Sequence, residues 1–188
     1  MAMLPSTLDI ARGLYVATRL FTGRPDAFHL ADATVDGFWK SLFAAVLALP
    51  PFLGARAVGS GAGLEDGPAL TMLLLTYAVG ILLYPVVMLN LADAIGRSGR
   101  YLTYMVAYNW SILLQTLIAL AVALVIATGL LPRQAALLLQ AVTAVAIIWY
   151  LWFMARHGLE VGPLMASGVV TVDVALALLI DNMRDGLG

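Results

Sequence analysis

One acidic residue, Asp173, lies inside an otherwise apolar run, VVTVDVALALL at residues 169–179. An ionised carboxylate among apolar side chains costs at least a few kcal/mol, so it should be paired with a cation, protonated or in contact with water. On a helix, Asp173 shares a stripe with Gly162, Ala166 and Ala177, and small residues of this kind let another helix approach closely. The stripe therefore predicts that Asp173 faces the interior of a helical bundle.

Four further polar residues lie at depths where they could meet Asp173. Gln140 and Thr143 are spaced i,i+3 on the preceding apolar segment and, if the two segments run antiparallel, lie in the same half of a bilayer as Asp173. Tyr108 and Gln115 belong to a polar stripe on the segment before that one. We therefore predict an intramembrane polar site of Asp173, Gln140, Thr143, Gln115 and Tyr108.

Two interpretations of this polar site are open. In the first, it lines a path for protons or a small solute, and Asp173 is the titrating group. In the second, it is a hydrogen-bonded lock that fixes the packing of the helices. The sequence offers no partner cation at the depth of Asp173, no second acid and no intramembrane histidine, which favours the lock.

Other residue types that carry chemistry are sparse. The chain has no cysteine, which excludes disulfides, thiol nucleophiles and cysteine-ligated metals. The two histidines, His29 and His157, are isolated in sequence, and metal ligation needs several converging ligands. The glycine-rich GSGAG at 59–63 lacks the preceding strand and the Lys-Ser/Thr of a phosphate-binding loop. We find no GxSxG, HExxH or paired-carboxylate arrangement, so we expect neither an enzyme nor a cofactor or metal site.

The composition indicates whether these residues lie in a soluble protein or in a membrane protein. Of 188 residues, 62% are hydrophobic and 11% are charged, with a mean hydropathy of +0.96. A soluble domain of this length could not bury so much apolar surface. The net charge of −1 provides no field for attracting nucleic acid. We therefore expect a membrane protein whose first partner is the lipid bilayer.

Five segments approach the roughly 20 apolar residues that a spanning helix needs. Short connections between them force neighbouring helices to run antiparallel. The sequence thus predicts an all-α integral membrane protein: a five-helix transmembrane bundle at 38–188, preceded by an N-terminal amphipathic interfacial helix within residues 1–37. The predicted spans are 38–58, 69–91, 104–130, 134–154 and 161–180.

The N-terminal segment PSTLDIARGLYVATRLFTGRPD has the pattern of an amphipathic helix. Arg12 and Arg19 lie opposite its apolar face, which either enters the headgroup region of the membrane or packs on the protein's own bundle. With Arg97 and Arg100 of the connection LADAIGRSGR, these arginines are candidate lipid-facing cations. Arg97 is also spaced i,i+4 from Asp93, which predicts an ion pair. The apolar face consists of Ile10, Leu14, Ala17 and Phe21.

Pro50 and Pro51 lie in the middle of the first predicted span, where they must kink or break the helix. If the segment turned back there, it would be a re-entrant hairpin and every later span would reverse direction. The positive-inside rule gives the same result for both arrangements, with seven Lys and Arg on the inner side and three on the outer side. It predicts a cytoplasmic N-terminus in both cases, and we favour five spans because the segment is long enough to cross.

The layout resembles that of Yip1-domain proteins, with an inner N-terminal region and five closely spaced spans. The strings DGFWKSLFAAVLALPP and YMVAYNW also resemble segments of small bacterial membrane proteins of similar length. The Yip1 resemblance implies a membrane-organising or partner-binding protein without catalytic residues. It transfers no functional residue, because the Asp-Leu-Tyr-Gly-Pro pattern of those domains is absent from this chain.

Two functions are therefore expected from the sequence. The first is a non-enzymatic scaffold or accessory subunit, with other membrane proteins or a second copy of the chain as partners. The second is a small transporter or channel component that uses the polar track around Asp173. In either case the compact chain and its early charges, which differ from those of a signal peptide, predict a multi-pass protein of a bacterial inner membrane.

Overall fold

The computed structural model describes residues 4–60 and 67–187, which form α-helices and two short 3₁₀ helices with no strand among them. Five of these helices are each long and apolar enough to cross a membrane, so the chain is an all-α integral membrane protein with a five-helix bundle. The 3₁₀ helices are Pro25–Leu30 and Ser98–Arg100. The α-helices are α1 (Thr7–Phe21), α2 (Val35–Ser60), α3 (Gly67–Ala94), α4 (Tyr101–Ala127), α5 (Arg133–Gly158) and α6 (Pro163–Leu187).

The ends of the helices differ from the predicted spans by a few residues. Helix α4 begins at Tyr101 and ends at Ala127, whereas the predicted span was 104–130. It ends there because Gly129 adopts a positive φ of 69°, which a residue without a side chain tolerates. Helix α6 continues past the predicted end at 180 to Leu187, which places Asp181 within the helix.

Helix α2 continues through Pro50 and Pro51 without a reverse turn. The missing N–H groups of the two prolines leave the carbonyls of Val46 and Leu47 without their intrahelical donors, a loss that transmembrane helices accommodate by local adjustment. The 26 residues of α2 extend over about 39 Å. The re-entrant alternative is therefore wrong for this segment.

Helix α2 packs mainly against α4 rather than against its neighbour in sequence, α3. The reason is a row of small side chains, Ser41, Ala44 and Ala48, which are fully buried and let the two helices approach closely. In this contact the Asn109 side-chain amide donates a hydrogen bond of 2.8 Å to the Ser41 hydroxyl. The two helices run parallel, as expected for the first and third spans of an antiparallel series.

Helix α1 begins with a capping box. The Asp9 backbone N–H donates to the Ser6 hydroxyl at 3.2 Å, and the Ser6 N–H donates back to the Asp9 carboxylate at 2.9 Å. The hydrogen bonds that the Ser6 N–H and, at 2.8 Å, the Ser6 hydroxyl donate to the Asp9 carboxylate hold the pKa of this carboxyl below its usual range. Lys40 of α2 lies 3.9 Å from the same carboxylate, so the start of α1 is tied to the bundle.

The buried face of α1 packs on the bundle. It consists of Gly13, Val16, Ala17 and Leu20, and the Tyr150 hydroxyl of α5 donates a hydrogen bond of 2.9 Å to the Ala17 carbonyl. Of the two alternatives for this helix, packing on the protein's own bundle is the one observed. The observed face is rotated from the predicted one: it is centred on Gly13, Val16 and Leu20, whereas Ile10 and Leu14 of the predicted face are only partly buried.

Two of the four candidate lipid-facing arginines belong to α1, and they differ in their exposure. Arg12 is exposed. Arg19 is partly buried and forms an ion pair of 2.6 Å with Asp26, whose hydrogen bond raises the pKa of the guanidinium. Arg19 therefore pairs with a residue of its own chain, whereas Arg12 lies on the surface and stays a candidate to face lipid headgroups.

The other two predicted cations lie between α3 and α4. Arg97 is exposed, and Arg100 forms an ion pair with Glu160. The predicted pair of Asp93 with Arg97 is not among the ion pairs of the described residues. Helix α3 ends at Ala94, so the i,i+4 spacing is lost, and Asp93 instead accepts a hydrogen bond of 2.9 Å from Ser98.

Candidate functional site

Asp173 lies in α6 and is contacted by α4. The Tyr108 hydroxyl donates a hydrogen bond of 2.9 Å to Oδ1 of Asp173, which is partly buried. This contact brings together two of the five residues of the predicted polar site. Of the ion pairs between described residues, none includes Asp173.

Three tyrosines form a cluster beside this carboxylate. Tyr104 and Tyr108 are one turn apart on α4, and Tyr84 reaches them from α3. The hydroxyls of Tyr84 and Tyr104 are 2.7 Å apart and share a hydrogen bond. The Tyr84 ring stacks on Tyr108 with ring centroids 4.2 Å apart. The cluster therefore fixes the position of the hydroxyl that donates to Asp173.

Two cavities flank the Tyr108–Asp173 hydrogen bond. We call the first the tyrosine cavity; it measures about 320 Å³ and is lined by Tyr77, Tyr84, Tyr108 and Asp173. We call the second the Gln115 cavity; it measures about 270 Å³ and is lined by Gln115, Tyr108 and Asp173 among others. Because Tyr108 and Asp173 line both, the bond between them stands where the two cavities adjoin.

An ion pair lines the tyrosine cavity beyond Asp173. Arg56 of α2 lies 3.8 Å from Asp181 of α6, and both residues line this cavity. Asp181 is eight residues after Asp173, about 12 Å further along the helix. The cavity thus runs from a carboxylate in the apolar middle of α6 toward a charged end.

Sequence reasoning missed Arg56 and Asp181 as parts of the site. The stripe through Asp173 and Ala177 reaches Asp181 in one more helical step, and this signal could have found it. It was missed because the span was predicted to end at 180. No comparable signal points to Arg56, since its approach from α2 to Asp181 of α6 is not encoded in local spacing.

Gln115, the third residue of the predicted polar site, lies beside Tyr108 and Asp173. It lines the Gln115 cavity, and its side-chain amide donates a hydrogen bond of 3.0 Å to the Ser111 hydroxyl on the same helix. Ser111 is fully buried and donates in turn to the Tyr108 carbonyl at 2.7 Å. Polar side chains therefore continue along α4 from Tyr108 to Gln115.

Gln140 and Thr143 are not brought to Asp173. They line a separate cavity of about 420 Å³ between α2, α4 and α5, whose lining contains neither Asp173 nor Tyr108. Gln140 is exposed, and the Thr143 hydroxyl donates to the Leu139 carbonyl of its own helix at 2.8 Å. The prediction that they lie at the depth of Asp173 is wrong, because on α4 their cavity begins at Ala119, about 16 Å along the helix from Tyr108, which contacts Asp173.

The two histidines meet at the opposite end of the bundle, where α4 begins and α5 ends. His29 and His157 line one cavity of about 590 Å³, together with the paired Arg100 and Glu160. Nothing in the sequence indicated that they line one cavity, because His29 belongs to a 3₁₀ helix far from α5 along the chain. No group of three or more histidine, cysteine or acidic residues that could hold a metal ion occurs in the part of the chain that is described.

Comparison with known proteins adds no relative. No family model, no curated protein and no solved structure matches this chain. The resemblance to Yip1-domain proteins therefore stays a prediction, and the function must be argued from the site itself.

Proposed function

We propose that this protein is a non-enzymatic membrane protein that binds a small solute within the bilayer, as a small transporter or as the binding component of a transporter or channel. The observation that carries the proposal is the position of Asp173 between two cavities. The sequence favoured a hydrogen-bonded lock around Asp173. We propose binding instead because two cavities leave space around the carboxylate.

A packing lock should be closely packed and hydrogen-bonded on all sides. A carboxylate has about four acceptor positions, and the described residues provide Asp173 with one hydrogen bond, from Tyr108. The tyrosine cavity and the Gln115 cavity leave room for water or a ligand at the others. An acid in the apolar part of a membrane is expensive to keep, which supports a role in binding.

We further propose that the protein lies in the cell inner membrane with its N-terminus in the cytoplasm. Seven of its ten Lys and Arg residues then lie on the cytoplasmic side, as the positive-inside rule expects. The tyrosine cavity, which runs toward Arg56 and Asp181 at the ends of α2 and α6, then opens toward the periplasm. A solute would reach Asp173 from that side.

A membrane-organising scaffold or accessory subunit is the second candidate. The observation in its favour is the tight packing of α1 on α4 and α5, which joins the N-terminal region and the bundle into one body. That arrangement suits a protein that presents a fixed surface to a partner. This function needs no water in the tyrosine cavity, and the two candidates can be separated on that point.

The test uses the absence of cysteine from the chain, which allows single cysteines to be introduced without other changes. Ala177 lines both cavities, whereas Leu178, the next residue, is 58% exposed on the outer face of the bundle. We expect a membrane-impermeant thiol reagent to modify the Ala177→Cys variant in intact membranes and to leave Leu178→Cys unmodified.

A second pair of variants guards against a local disturbance by the new side chain. Gly80 of α3 lines the tyrosine cavity, and Leu82 is 63% exposed on the outside of the same helix. Gly80→Cys should react and Leu82→Cys should not. If neither cavity position reacts, the cavity is dry, the solute-binding proposal is wrong and the scaffold is the better explanation.

A further inference from the structure

We infer that the ligand of the tyrosine cavity is a lipophilic organic cation of single positive charge. This inference rests on the proposed function, since it names the class of solute that the same site binds. Three properties of the cavity support it: its aromatic lining, its charge and its apolar walls.

Four aromatic residues line the cavity in two contacting pairs. Phe52 and Tyr77 have ring centroids 4.9 Å apart, and Tyr84 and Tyr108 have centroids 4.2 Å apart. The pairs come from α2, α3 and α4, so the aromatic lining is a product of the tertiary fold. Aromatic faces attract organic cations, most strongly where water is excluded.

Among the described residues that line the cavity, the charges sum to −1 when all the acids are ionised. Asp181 lies 3.8 Å from the guanidinium of Arg56, and Asp173 adds a second carboxylate that none of the ion pairs between described residues includes. A ligand cation beside Asp173 would offset the cost of holding a carboxylate in the membrane, whereas an anion there would be repelled. The charge therefore selects for one positive unit.

The rest of the lining argues against a metal ion. Inorganic cations such as Ca²⁺ and Mg²⁺ need several oxygen ligands in a close shell, and the described residues contain no cluster of three or more acids or histidines. The cavity is instead walled by aliphatic side chains and has a volume of about 320 Å³, near the lower end for drug-sized ligands. The aliphatic wall includes Leu73, Ile81, Leu176 and Ile180.

Tyr77 adds a constraint on where such a ligand can bind. Its hydroxyl donates a hydrogen bond of 2.6 Å to the Ala45 carbonyl of α2. This bond fixes the ring of Tyr77 against α2 and leaves its hydroxyl unavailable to a ligand as a donor. The tyrosine cavity therefore offers ring surfaces together with the Asp173 carboxylate, a combination suited to a cation with apolar substituents.

The experiment compares two probes of matched shape and opposite charge, tetraphenylphosphonium and tetraphenylborate. Each is added to the full-length Ala177→Cys protein in lipid nanodiscs, and the rate of modification by the thiol reagent is measured. We expect the phosphonium to slow the reaction and the borate to leave it unchanged. Equal protection by both probes would overturn the inference, because it would show that shape and apolarity suffice.

The contribution of the carboxylate is measured with Asp173→Asn, which keeps the size of the side chain and removes its charge. We expect the affinity for tetraphenylphosphonium, measured by equilibrium binding to the otherwise unchanged chain, to fall roughly tenfold or more. The matched control is Asp93→Asn, since Asp93 is exposed and lines neither cavity. Its affinity should stay unchanged, and unchanged affinity in Asp173→Asn would contradict the inference.

The two proposals fail in different ways. If Ala177→Cys and Gly80→Cys do not react even without a probe, the solute-binding function is wrong and the inference falls with it. If both react but tetraphenylphosphonium does not protect them, the cavity is open to solutes and only the assignment of a cation is wrong.

Discussion

At the scale of single residues, the contact that matters most is the hydrogen bond between Tyr108 and Asp173. Tyr108 is held by its stacking on Tyr84 and by its place one turn after Tyr104 on α4. The carboxylate is therefore met by a donor whose position is fixed before any ligand arrives. Such preorganisation is expected of a binding site, since it lowers the entropy lost on binding.

The Tyr108→Phe variant tests this bond, because it removes the hydroxyl and keeps the ring that stacks on Tyr84. Asp173 then loses the hydrogen bond that the described residues provide. We expect the free energy of unfolding in detergent to fall by about 0.5–2 kcal/mol. The control is Tyr15→Phe, whose ring is 53% exposed and whose hydroxyl accepts a longer bond of 3.3 Å from Arg19. An equal loss in both variants would refute a special role for Tyr108.

At the scale of helices, close approach depends on residues that have little or no side chain. The contact of α2 with α4 uses Ser41, Ala44 and Ala48, and the contact of α1 with α4 uses Gly13. In a membrane, the hydrophobic effect does not drive helices together, so close packing of this kind supplies much of the stability. The prediction at this scale concerns Gly13.

A Cβ atom at Gly13 would overlap the indole ring of Trp110. Gly13→Ala should therefore destabilise the packing of α1, by about 1–3 kcal/mol, although alanine favours a helix over glycine. In α6, a Cβ at Gly168 would meet nothing within 4 Å. Gly168→Ala should be neutral or stabilising by up to about 1 kcal/mol. Unfolding of both variants in detergent provides the comparison, and a stabilised Gly13→Ala protein would mean that α1 is not seated on Trp110.

At the scale of the whole molecule, five crossings place the connection between α3 and α4 and the connection between α4 and α5 on opposite sides of the membrane. Gly99 lies in the first connection, and Leu130, which is 84% exposed, lies in the second. A cytoplasmic N-terminus puts Gly99 inside and Leu130 outside. The direction in which the tyrosine cavity opens depends on this orientation.

Single cysteines at these two positions test the orientation in intact cells. We expect an impermeant thiol reagent added from outside to modify Leu130→Cys and to reach Gly99→Cys only after the membrane is permeabilised. The reverse pattern would invert the molecule and direct the tyrosine cavity toward the cytoplasm. It would leave the geometry around Asp173 unchanged. The solute-binding proposal would then stand, with the solute reaching Asp173 from the cytoplasm.

The sequence by itself determined that the protein lies in a membrane, that its fold is all-α and that it has five long apolar helices. Twenty or so apolar residues in succession can satisfy their backbone polar groups in lipid only as a helix or in a closed barrel. It also predicted that Asp173 faces protein, because the small residues of its stripe permit close packing. It placed Tyr108 and Gln115 on one polar stripe of α4; in the structure Tyr108 contacts Asp173, and Gln115 lines a cavity with it.

Only the tertiary structure decided how each helix is rotated about its axis and which neighbour it meets. Gln140 and Thr143 were expected at the depth of Asp173, but α5 places them about 16 Å or more along α4 from Tyr108, whereas Arg56 comes to the tyrosine cavity from a helix distant in sequence. The physical reason is that lipid is as apolar as the interior of the bundle, so faces exposed to lipid and faces buried in protein carry similar side chains. Hydropathy therefore indicates which segments cross the membrane, while packing between helices sets how far each helix is shifted along its neighbours and the direction in which a residue points.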